Sequence, residues 1–349
     1  MFPLPRTNQR WLLTARPQGL ARESDFFWDE TPADEPAEGQ VLVRVIYLSL
    51  DPTNRNWMNR ADSYIPALPI GAVMRGVGIG IVEESRGCDF HPGDLVQGLL
   101  GWQRYATMDA AYLNKLPLFE IPLAGYFGVL GHIGLTAYVG LLDIGKPQAG
   151  ETLVVSAAAG AVGSLVGQIG KIKGCRVVGI AGSEAKCRWL KDELGFDAVV
   201  NHRIENLDEA LRRHCPEGVN IYFDNVGGRV LEAVLGQLAL RARIVCCGMI
   251  SQYNSPGTPG PANLGALITR RARMEGFLCS DYARRSPEAF SELMSWFAAG
   301  KLKYRLEIVD GLENAPASLN RLFDGTNAGK LLVKVSPEPI EAPAPARTM

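Results

Sequence analysis

A strand–turn–helix segment near the middle of the chain carries the residues best suited to bind a phosphorylated ligand. An apolar run ends in small residues, and the pattern A-x-x-G-x-x-G follows, with Ala157, Gly160 and Gly163 as its fixed points. Gly160 allows close backbone approach to a pyrophosphate, and Gly163 allows the helix to pack tightly on the strand. Ala161 and Val162 offer backbone N–H groups at the positive end of the helix dipole. The turn predicts a phosphate site, although the same turn also occurs in α/β proteins that bind no nucleotide.

The end of the next predicted strand bears on which dinucleotide would fit. A carboxylate there accepts hydrogen bonds from the ribose of NAD and repels the 2′-phosphate of NADP, but this chain has Gly182 at that position. Ser183 can cap the following helix, and Lys186 lies within reach of a phosphate. The rival feature is Glu184, about 20 residues past the glycine turn, where an acid would favour NAD. Because Glu184 is expected inside the helix, the sequence favours NADP, although Lys186 alone could be an ordinary surface lysine.

Three further strand ends carry polar groups at the edge where open α/β sheets bind ligands. His202 and Arg203 follow the third strand and could lie against the adenine or the 2′-phosphate, or form a solvated loop. Asn225 follows the fourth strand. Tyr253 follows the fifth strand and is the acid-capable side chain of its short loop. It is a candidate hydrogen-bond donor in catalysis, with a surface loop tyrosine as the alternative.

The pattern of elements predicts two kinds of structure in succession. Up to about residue 122, short strands alternate with turns, which is typical of a compact β barrel. From residue 151 onward, strands alternate with helices, which predicts a doubly wound parallel sheet and hence an α/β fold. The predicted strands of that sheet are 152–156, 176–181, 198–201, 219–224, 242–247 and 273–278.

Composition excludes some classes of function. The chain has 349 residues and a formal net charge of -1, which argues against non-specific nucleic-acid binding. No uninterrupted apolar run reaches about 18 residues, so no membrane-spanning helix is expected. The seven cysteines form no C-x-x-C pair and the first residues form no apolar signal segment, so we expect reduced thiols in a cytoplasmic protein. The proline-rich tail 336–349 is predicted to be disordered.

Taken together, these residues resemble the medium-chain dehydrogenase/reductase superfamily. The chain is most similar to its zinc-free branch of leukotriene/prostaglandin reductases and 2-alkenal reductases, which includes bacterial curcumin reductase. The resemblance runs from about residue 11 to residue 335. It rests on the order and spacing of several motifs: L-S-L-D-P at 48–52, G-L-T-A-Y at 134–138, the glycine turn, A-G-S with Lys186, F-D-N-V-G-G at 223–228, and G-K at 329–330.

The resemblance implies a GroES-like β-barrel catalytic domain, residues 1–127 and 306–349, and a Rossmann NADP-binding domain, residues 128–305. It also implies NADPH as cofactor, a homodimer, and reduction of the carbon–carbon double bond of α,β-unsaturated ketones and aldehydes, with hydride delivered to the β-carbon. By position, Lys186 matches the family's 2′-phosphate lysine and Tyr253 its tyrosine near the nicotinamide ribose. Phe277 and Leu278 match the segment that meets the nicotinamide amide, and Asn327 matches an asparagine near the cofactor.

The chain departs from the family at two places. Where the family often reads Asp-Pro-Tyr-Met-Arg, this chain has Thr53 and Asn54 after Asp-Pro, so a tyrosine that often lines the substrate pocket is absent. Asn54, Tyr64 and Tyr253 are the predicted substrate-binding residues, and Tyr64 is the second catalytic candidate after Tyr253. His202 and Arg203 stand where Tyr-Lys is common, which changes the adenine-side contact.

Zinc-dependent members of the superfamily need three protein ligands at the catalytic metal and four closely spaced cysteines at the structural one. The chain has four histidines, and Cys88 is the single cysteine before Cys175. We therefore predict no metal site, which disfavours simple alcohol dehydrogenation. Three hypotheses remain open: an NADPH-dependent enone or enal reductase, a quinone oxidoreductase on the same scaffold, and a low-turnover NADPH-binding structural or sensor protein.

Overall fold

The computed structural model describes residues 6–60, 64–117, 121–255 and 260–339, which form two compact units. The first unit takes the described residues up to 117, Ile308–Asn320 and residues 332–339. The second unit takes residues 121–307 and Arg321–Leu331. The late segment Arg321–Leu331 thus groups with the parallel sheet.

The first unit is an antiparallel structure built around the strand Gln40–Ser49. One edge of this strand pairs with Gly78–Ser85, and the other pairs with Tyr105–Asp109 and with Lys330–Lys334. One long strand shared among three partners is what a small barrel requires. The further strands are Thr7–Leu13, Phe26–Pro32, Leu95–Gly98, Asn114–Lys115 and Leu306–Asp310, and the helices of this unit are Thr53–Trp57 and Ala315–Leu319.

The barrel core follows from the alternation of side chains along the long strand. Val41, Val43 and Val45 are fully buried and pack with valine and leucine side chains of neighbouring strands. Glycine allows a close strand approach here, because a Cβ at Gly80 would lie 2.6 Å from the Arg44 carbonyl oxygen.

The second unit is a six-stranded parallel sheet whose strand order, counted along the chain, is 3-2-1-4-5-6. This is the doubly wound order of dinucleotide-binding folds. The strands are Thr152–Val155, Arg176–Ala181, Ala198–Asn201, Val219–Asp224, Leu238–Cys246 and Arg273–Gly276. The predicted parallel sheet is confirmed, with strand ends within a few residues of those expected.

Helices cover the parallel sheet. They are Tyr126–Val129, Gly131–Val139, Ala161–Ile172, Glu184–Arg188, Leu207–His214, Gly228–Leu235, Gly265–Arg270, Ser286–Ala298 and Arg321–Asp324, with π-helical continuations at Gly140–Gly145 and Trp189–Glu193. The core beneath them contains Val154, Ile180 and Tyr222, which are almost completely buried. An apolar core on both faces of the sheet explains why its strands read as continuous apolar runs.

One stretch of the described chain, Leu123–Gly145, is long and apolar enough to cross a membrane, contrary to the expectation from the sequence. Its most apolar window is 78% buried inside the structure, as in the core helix of a folded domain. The stretch also changes direction at Gly131, whose φ is +58°. Burial and this break make it weak evidence for a membrane span.

The predicted disorder of the tail is wrong for its first residues. Ser336 Oγ donates to the Val45 carbonyl oxygen, and Arg44 donates to the Pro337 carbonyl oxygen. The Tyr47 hydroxyl donates to the Glu338 carboxylate. These contacts extend the chain along the barrel beyond its last strand. Residues 340–349 lie outside the described part of the chain.

Candidate functional site

The glycine turn lies at the carboxyl end of the first strand of the parallel sheet. Ala157 takes a left-handed backbone conformation, with φ +45°, and its carbonyl oxygen accepts from Gly160 N at 2.9 Å. A Cβ on Gly163 would stand 2.5 Å from the same oxygen, so only glycine lets the helix lie this close to the turn. The structure thus gives a packing reason for Gly163 and shows a less crowded Gly160, where a Cβ would lie 3.1 Å from that oxygen.

The helix Ala161–Ile172 starts directly from this turn. Gly160 is its N-cap residue, and no acidic side chain lies in its first turn. The first N–H groups of an α-helix have no carbonyl partner within the helix. Ala161, Val162 and Gly163 therefore present donors at the positive end of a 12-residue helix, which is suited to a phosphate.

The end of the second strand faces basic side chains. A Cβ at Gly182 would lie 2.9 Å from His202 Nε2 and 3.4 Å from Arg203 Nε, so the position of the carboxylate of an NAD site borders on these two residues. Ser183 Oγ caps the next helix by accepting from Lys186 N at 3.3 Å. Glu184 is the first residue of that helix, in agreement with its expected place past the strand end, and its side chain is exposed.

Three basic side chains gather beside Gly182. Lys186 Nζ donates to the Gly325 carbonyl oxygen at 2.7 Å, and the Arg203 guanidinium donates to the adjacent Asp324 carbonyl oxygen. Burial, and then the Arg203 charge, lower the pKa of the Lys186 ammonium. Desolvation by surrounding protein atoms, followed by the charges of Arg203 and Lys186, lowers the pKa of the His202 imidazole. The Asp324 and Glu307 carboxylates oppose this lowering at Lys186, but neither accepts a hydrogen bond from Lys186 or Arg203 in the contacts above. The cluster is therefore a cationic site of the kind that binds a phosphomonoester.

Asn327 lies in the same late segment, two residues past Gly325. Its side chain is buried, and its amide nitrogen donates to the Gly329 carbonyl oxygen at 3.0 Å. The Asn327 backbone N–H donates to the Arg321 carbonyl oxygen at 3.4 Å. The asparagine therefore stabilises the turn that meets Lys186 and Arg203.

The fourth strand ends in a buried carboxylate that the sequence analysis did not single out. Asp224 is 1% exposed, and its Oδ1 accepts from the Tyr222 hydroxyl, Ser156 Oγ, Val226 N and Gly227 N, at 2.8 to 3.2 Å. Its Oδ2 has no hydrogen-bond partner among the described residues. Burial raises the pKa of Asp224 despite these donors. The buried carboxylate fixes the turn that follows the strand.

Asn225 is held by the same network. Its backbone N–H donates to Ser156 Oγ at 2.9 Å, and its side chain donates to the Ser156 carbonyl oxygen at 2.7 Å. These bonds join the end of the fourth strand to the end of the first strand, where the glycine turn begins. Asn225 and the glycine turn therefore share one edge of the sheet, as the sequence predicts.

Phe277 and Leu278 directly follow the sixth strand. The Phe277 ring packs edge-on against Phe223, with centroids 6.5 Å apart, and a Cβ on Gly140 would overlap both rings. Leu278 is exposed. The packing of the Phe277 ring against Phe223 anchors the backbone at this strand end.

Tyr253 lies beyond the fifth strand, and its hydroxyl accepts from Met249 N at 3.1 Å. This bond holds the half-buried phenol over the start of its own loop, where a Cβ on Gly248 would lie 3.1 Å from the hydroxyl oxygen. The hydroxyl oxygen is therefore fixed close to the carboxyl end of the fifth strand.

Asn54 and Tyr64 belong to the first unit. Asn54 is fully buried; its Oδ1 accepts from Asp51 N at 2.7 Å and its amide donates to the Arg75 carbonyl oxygen. It thus shapes its own loop and exposes no surface to a ligand in this structure. Tyr64 is 53% exposed, and its hydroxyl accepts from Trp57 Nε1 at 3.0 Å and is hydrogen-bonded to Thr53 Oγ1. Thr53, where the family often has tyrosine, is therefore a partner of the Tyr64 phenol.

Sequence reasoning missed two features of the site. Asp224 stood within a quoted motif, and a carboxylate at the end of an apolar strand is a signal for a buried polar network. The Asp324 and Gly325 carbonyl groups carry no signal, because any residue has a carbonyl and these are 121 and 139 residues, respectively, from the cations that they meet. Only the fold brings them together.

Within the described ranges, no group of three His, Cys, Asp or Glu side chains is placed to hold a metal ion. Cys88 and the exposed His91 lie near one turn of the first unit without a third ligand.

The strand order, the glycine turn and the basic cluster define a Rossmann-type dinucleotide-binding protein with an additional β-barrel unit. Residues 9–116 match the family model for the N-terminal domain of oxidoreductase, and residues 161–299 match that for zinc-binding dehydrogenase. The chain belongs to the medium-chain dehydrogenase/reductase superfamily, in the branch of curcumin, 2-alkenal and prostaglandin reductases.

The similarity extends over almost the whole chain. The sequence is 46% identical to the NADPH-dependent curcumin reductase of Escherichia coli (strain K12), covering 94% of this chain and 97% of the relative. It is 43% identical to the 2-alkenal reductase (NADP(+)-dependent) of Nicotiana tabacum, covering 95% and 98%. The crystal structure of CurA in complex with NADPH from Vibrio vulnificus superposes with a TM-score of 0.90 at 43% identity, covering 95% of this chain and 100% of that one.

The Asp224 network generates a prediction about stability. Replacing Asp224 with alanine leaves four donors without their acceptor, and a buried donor without a partner costs about 1–3 kcal/mol. Allowing for partial relaxation, we expect Asp224→Ala to lower the free energy of unfolding by about 3–5 kcal/mol in a urea titration. The control is Asp208→Ala, which removes a partly exposed ion pair with Arg229 and should cost less than about 1 kcal/mol. Equal losses in the two variants would contradict the prediction.

Proposed function

We propose that this protein uses NADPH to reduce the carbon–carbon double bond of α,β-unsaturated ketones and aldehydes. The observation that carries the proposal is the full-length similarity to relatives named for curcumin and 2-alkenal reduction. The basic cluster supports the choice of cofactor independently, because Gly182 provides no carboxylate at the end of the second strand and Lys186 and Arg203 lie beside it.

The residues present fit NADPH. The helix N-terminus after Gly160 would meet the pyrophosphate, and Lys186, Arg203 and His202 would meet the 2′-phosphate. Gly182 has no side chain that would stand between the pyrophosphate and the 2′-phosphate. When bound, NADPH supplies the hydride for the β-carbon of the substrate. The side chains of the protein must then stabilise the negative charge that develops on the carbonyl oxygen.

Tyr253 is our proposed donor to that oxygen. Its hydroxyl oxygen accepts from Met249 N, so the phenol is held at a defined point, and a phenolic hydroxyl is a hydrogen-bond donor as well as an acceptor. A donor fixed before the reaction stabilises the developing charge without reorganisation. The neutral phenol suits an enolate, whose charge exists only while the reaction proceeds.

The proposed function predicts consumption of NADPH in the presence of simple enones and enals. We expect at least about tenfold higher kcat/KM with NADPH than with NADH, because a charge-assisted bond to the 2′-phosphate contributes about 1.5–3 kcal/mol. The measurement is the loss of NADPH absorbance with a panel of enones, enals and quinones. Turnover confined to quinones would instead favour the quinone oxidoreductase, and binding of NADPH without turnover of any acceptor would favour the sensor protein.

The role of Tyr253 predicts a large loss of turnover in Tyr253→Phe. Removing one donor to a developing oxyanion typically lowers kcat by about 10²–10³-fold, while NADPH affinity should change little because the phosphate contacts lie at other strand ends. The matched control is Tyr112→Phe, at a tyrosine that is 71% exposed in the first unit. Full turnover of Tyr253→Phe on several enones would remove Tyr253 from the mechanism and leave Tyr64 as the candidate donor.

We further propose that the protein is a homodimer assembled through the sixth strand of the parallel sheet. Among the described residues, the strand Arg273–Gly276 is the last of that sheet, and the edge of a sheet is a template for a second chain. The nearby helix Gly265–Arg270 exposes 80% of Ile268, and Leu264 and Leu278 are also exposed. Exposed apolar side chains beside a sheet edge support an interface there.

This assembly predicts that Ile268→Asp weakens the dimer. Burying a carboxylate in an apolar interface is costly, so sedimentation should show monomer at concentrations where the unsubstituted protein is dimeric. The control is Ile204→Asp, at an isoleucine that is 76% exposed after the third strand, away from that edge. A monomeric parent protein, or a dimer unaffected by Ile268→Asp, would contradict the proposed interface.

A further inference from the structure

The basic cluster is closed on one side by a turn from the late segment of the chain. Lys186 belongs to the helix after the second strand and Arg203 to the turn after the third, yet they donate to the neighbouring carbonyl oxygens of Gly325 and Asp324. Both cations therefore have one donor each directed to the same turn. Lysine has three N–H donors and arginine has five, so each retains further donors for a ligand.

The turn is fixed by bonds that do not involve the cations. The Asp324 carboxylate accepts from Thr326 N at 2.8 Å and from Thr326 Oγ1 at 2.6 Å. Glu307 accepts from Ala328 N at 2.7 Å and pairs with Arg321. The carbonyl oxygens of Asp324 and Gly325 are therefore presented by a turn that is stabilised on both flanks.

Gly325 is the residue on which the geometry of this turn depends. Its φ of +75° is a backbone conformation that favours glycine. A Cβ at this position would lie 3.2 Å from Arg203 Nη2 and 4.0 Å from Lys186 Nζ. A side chain would thus strain the backbone and crowd the two cationic groups.

Neutral carbonyl acceptors suit a site that must keep its positive charge. Two long cationic side chains close together repel each other and lose conformational freedom when they are ordered. A carboxylate would order them but would neutralise them, whereas a carbonyl orders them and leaves the charge available. Binding a dianionic phosphate to cations already in place avoids part of the cost of ordering them at that moment.

We propose that the turn Asp324–Gly325 positions Lys186 and Arg203 for the 2′-phosphate of the adenosine ribose and so sets the preference for the phosphorylated cofactor. The proposal rests on the proposed use of NADPH and adds the residues that position the two cations. Asp324 and Gly325 are positioning residues, because they act through the two cations.

The test measures binding without turnover, using two fragments that differ in the 2′-phosphate. Adenosine 2′,5′-bisphosphate and adenosine 5′-monophosphate are titrated calorimetrically into the unsubstituted protein and into Gly325→Ala. We expect Gly325→Ala to weaken the bisphosphate about tenfold and the monophosphate less than about twofold. In steady-state assays, KM for NADPH should rise similarly, with KM for NADH and kcat at saturation retained.

The matched control is Gly300→Ala. Gly300 has a similar φ of +69° with open space around it, so this variant introduces the same backbone strain away from the cations and should bind both fragments normally. Thr326→Val removes a hydrogen bond of the turn at a residue whose φ is not positive. This variant serves as the test if Gly325→Ala does not fold. It should weaken the bisphosphate in the same direction, by a smaller factor.

Lys186→Ala shows whether the turn acts through the lysine. The double variant Lys186→Ala/Gly325→Ala should bind the bisphosphate more tightly than the product of the two single effects predicts. Equal weakening of both fragments by Gly325→Ala, or no weakening, would overturn the positioning role. An unsubstituted protein that binds the two fragments equally would overturn the use of NADPH itself, and with it this inference.

Discussion

The buried carboxylate of Asp224 is the interaction on which the ligand edge of the parallel sheet depends. Its side chain accepts from Ser156 at the end of the first strand and from the turn after the fourth, while its backbone carbonyl accepts from Cys247 N and Gly248 N after the fifth. One residue thus ties three strand ends together. Removing this buried acceptor would leave several donors without a partner at once. The edge is therefore held by a hydrogen-bond network whose members depend on each other.

Charged side chains have two different environments along this edge of the sheet. At the fourth strand the charged form of Asp224 is disfavoured by burial and surrounded by donors, which gives a rigid frame. At the second and third strands, Lys186 and Arg203 meet neutral carbonyl oxygens and keep their charge. A rigid frame is built from hydrogen bonds made within the protein, whereas a binding site needs donors or charge that remain available to a ligand. The two strand groups accordingly serve different tasks on a single sheet.

Most of the parallel sheet could be predicted because local pattern and tertiary environment agree there. Strands buried on both faces give apolar runs, and the glycine turn marks the switch to a helix. The prediction of strand 198–201 is exact, but the fifth strand begins at Leu238, four residues earlier than expected, because Arg241 interrupts the apolar pattern before the predicted start. Arg243 donates to the Glu151 carboxylate and the Gly145 carbonyl, partners that the local sequence does not reveal.

The candidate site shows where sequence reasoning stops. The residue types at the strand ends indicated phosphate and hydroxyl chemistry, since topology brings the carboxyl ends of parallel strands to one edge. What holds those residues in place came from distant backbone atoms, as with the Gly325 carbonyl at Lys186, or from a motif residue turned inward, as with Asp224. Backbone acceptors have no sequence signature. In a site whose cations are ordered by carbonyl oxygens, the cationic residues can therefore be recognised in the sequence, but the groups that hold them in place cannot. This asymmetry follows from the electrostatics of the site, because the acceptors that leave its charge intact are those that any residue can provide.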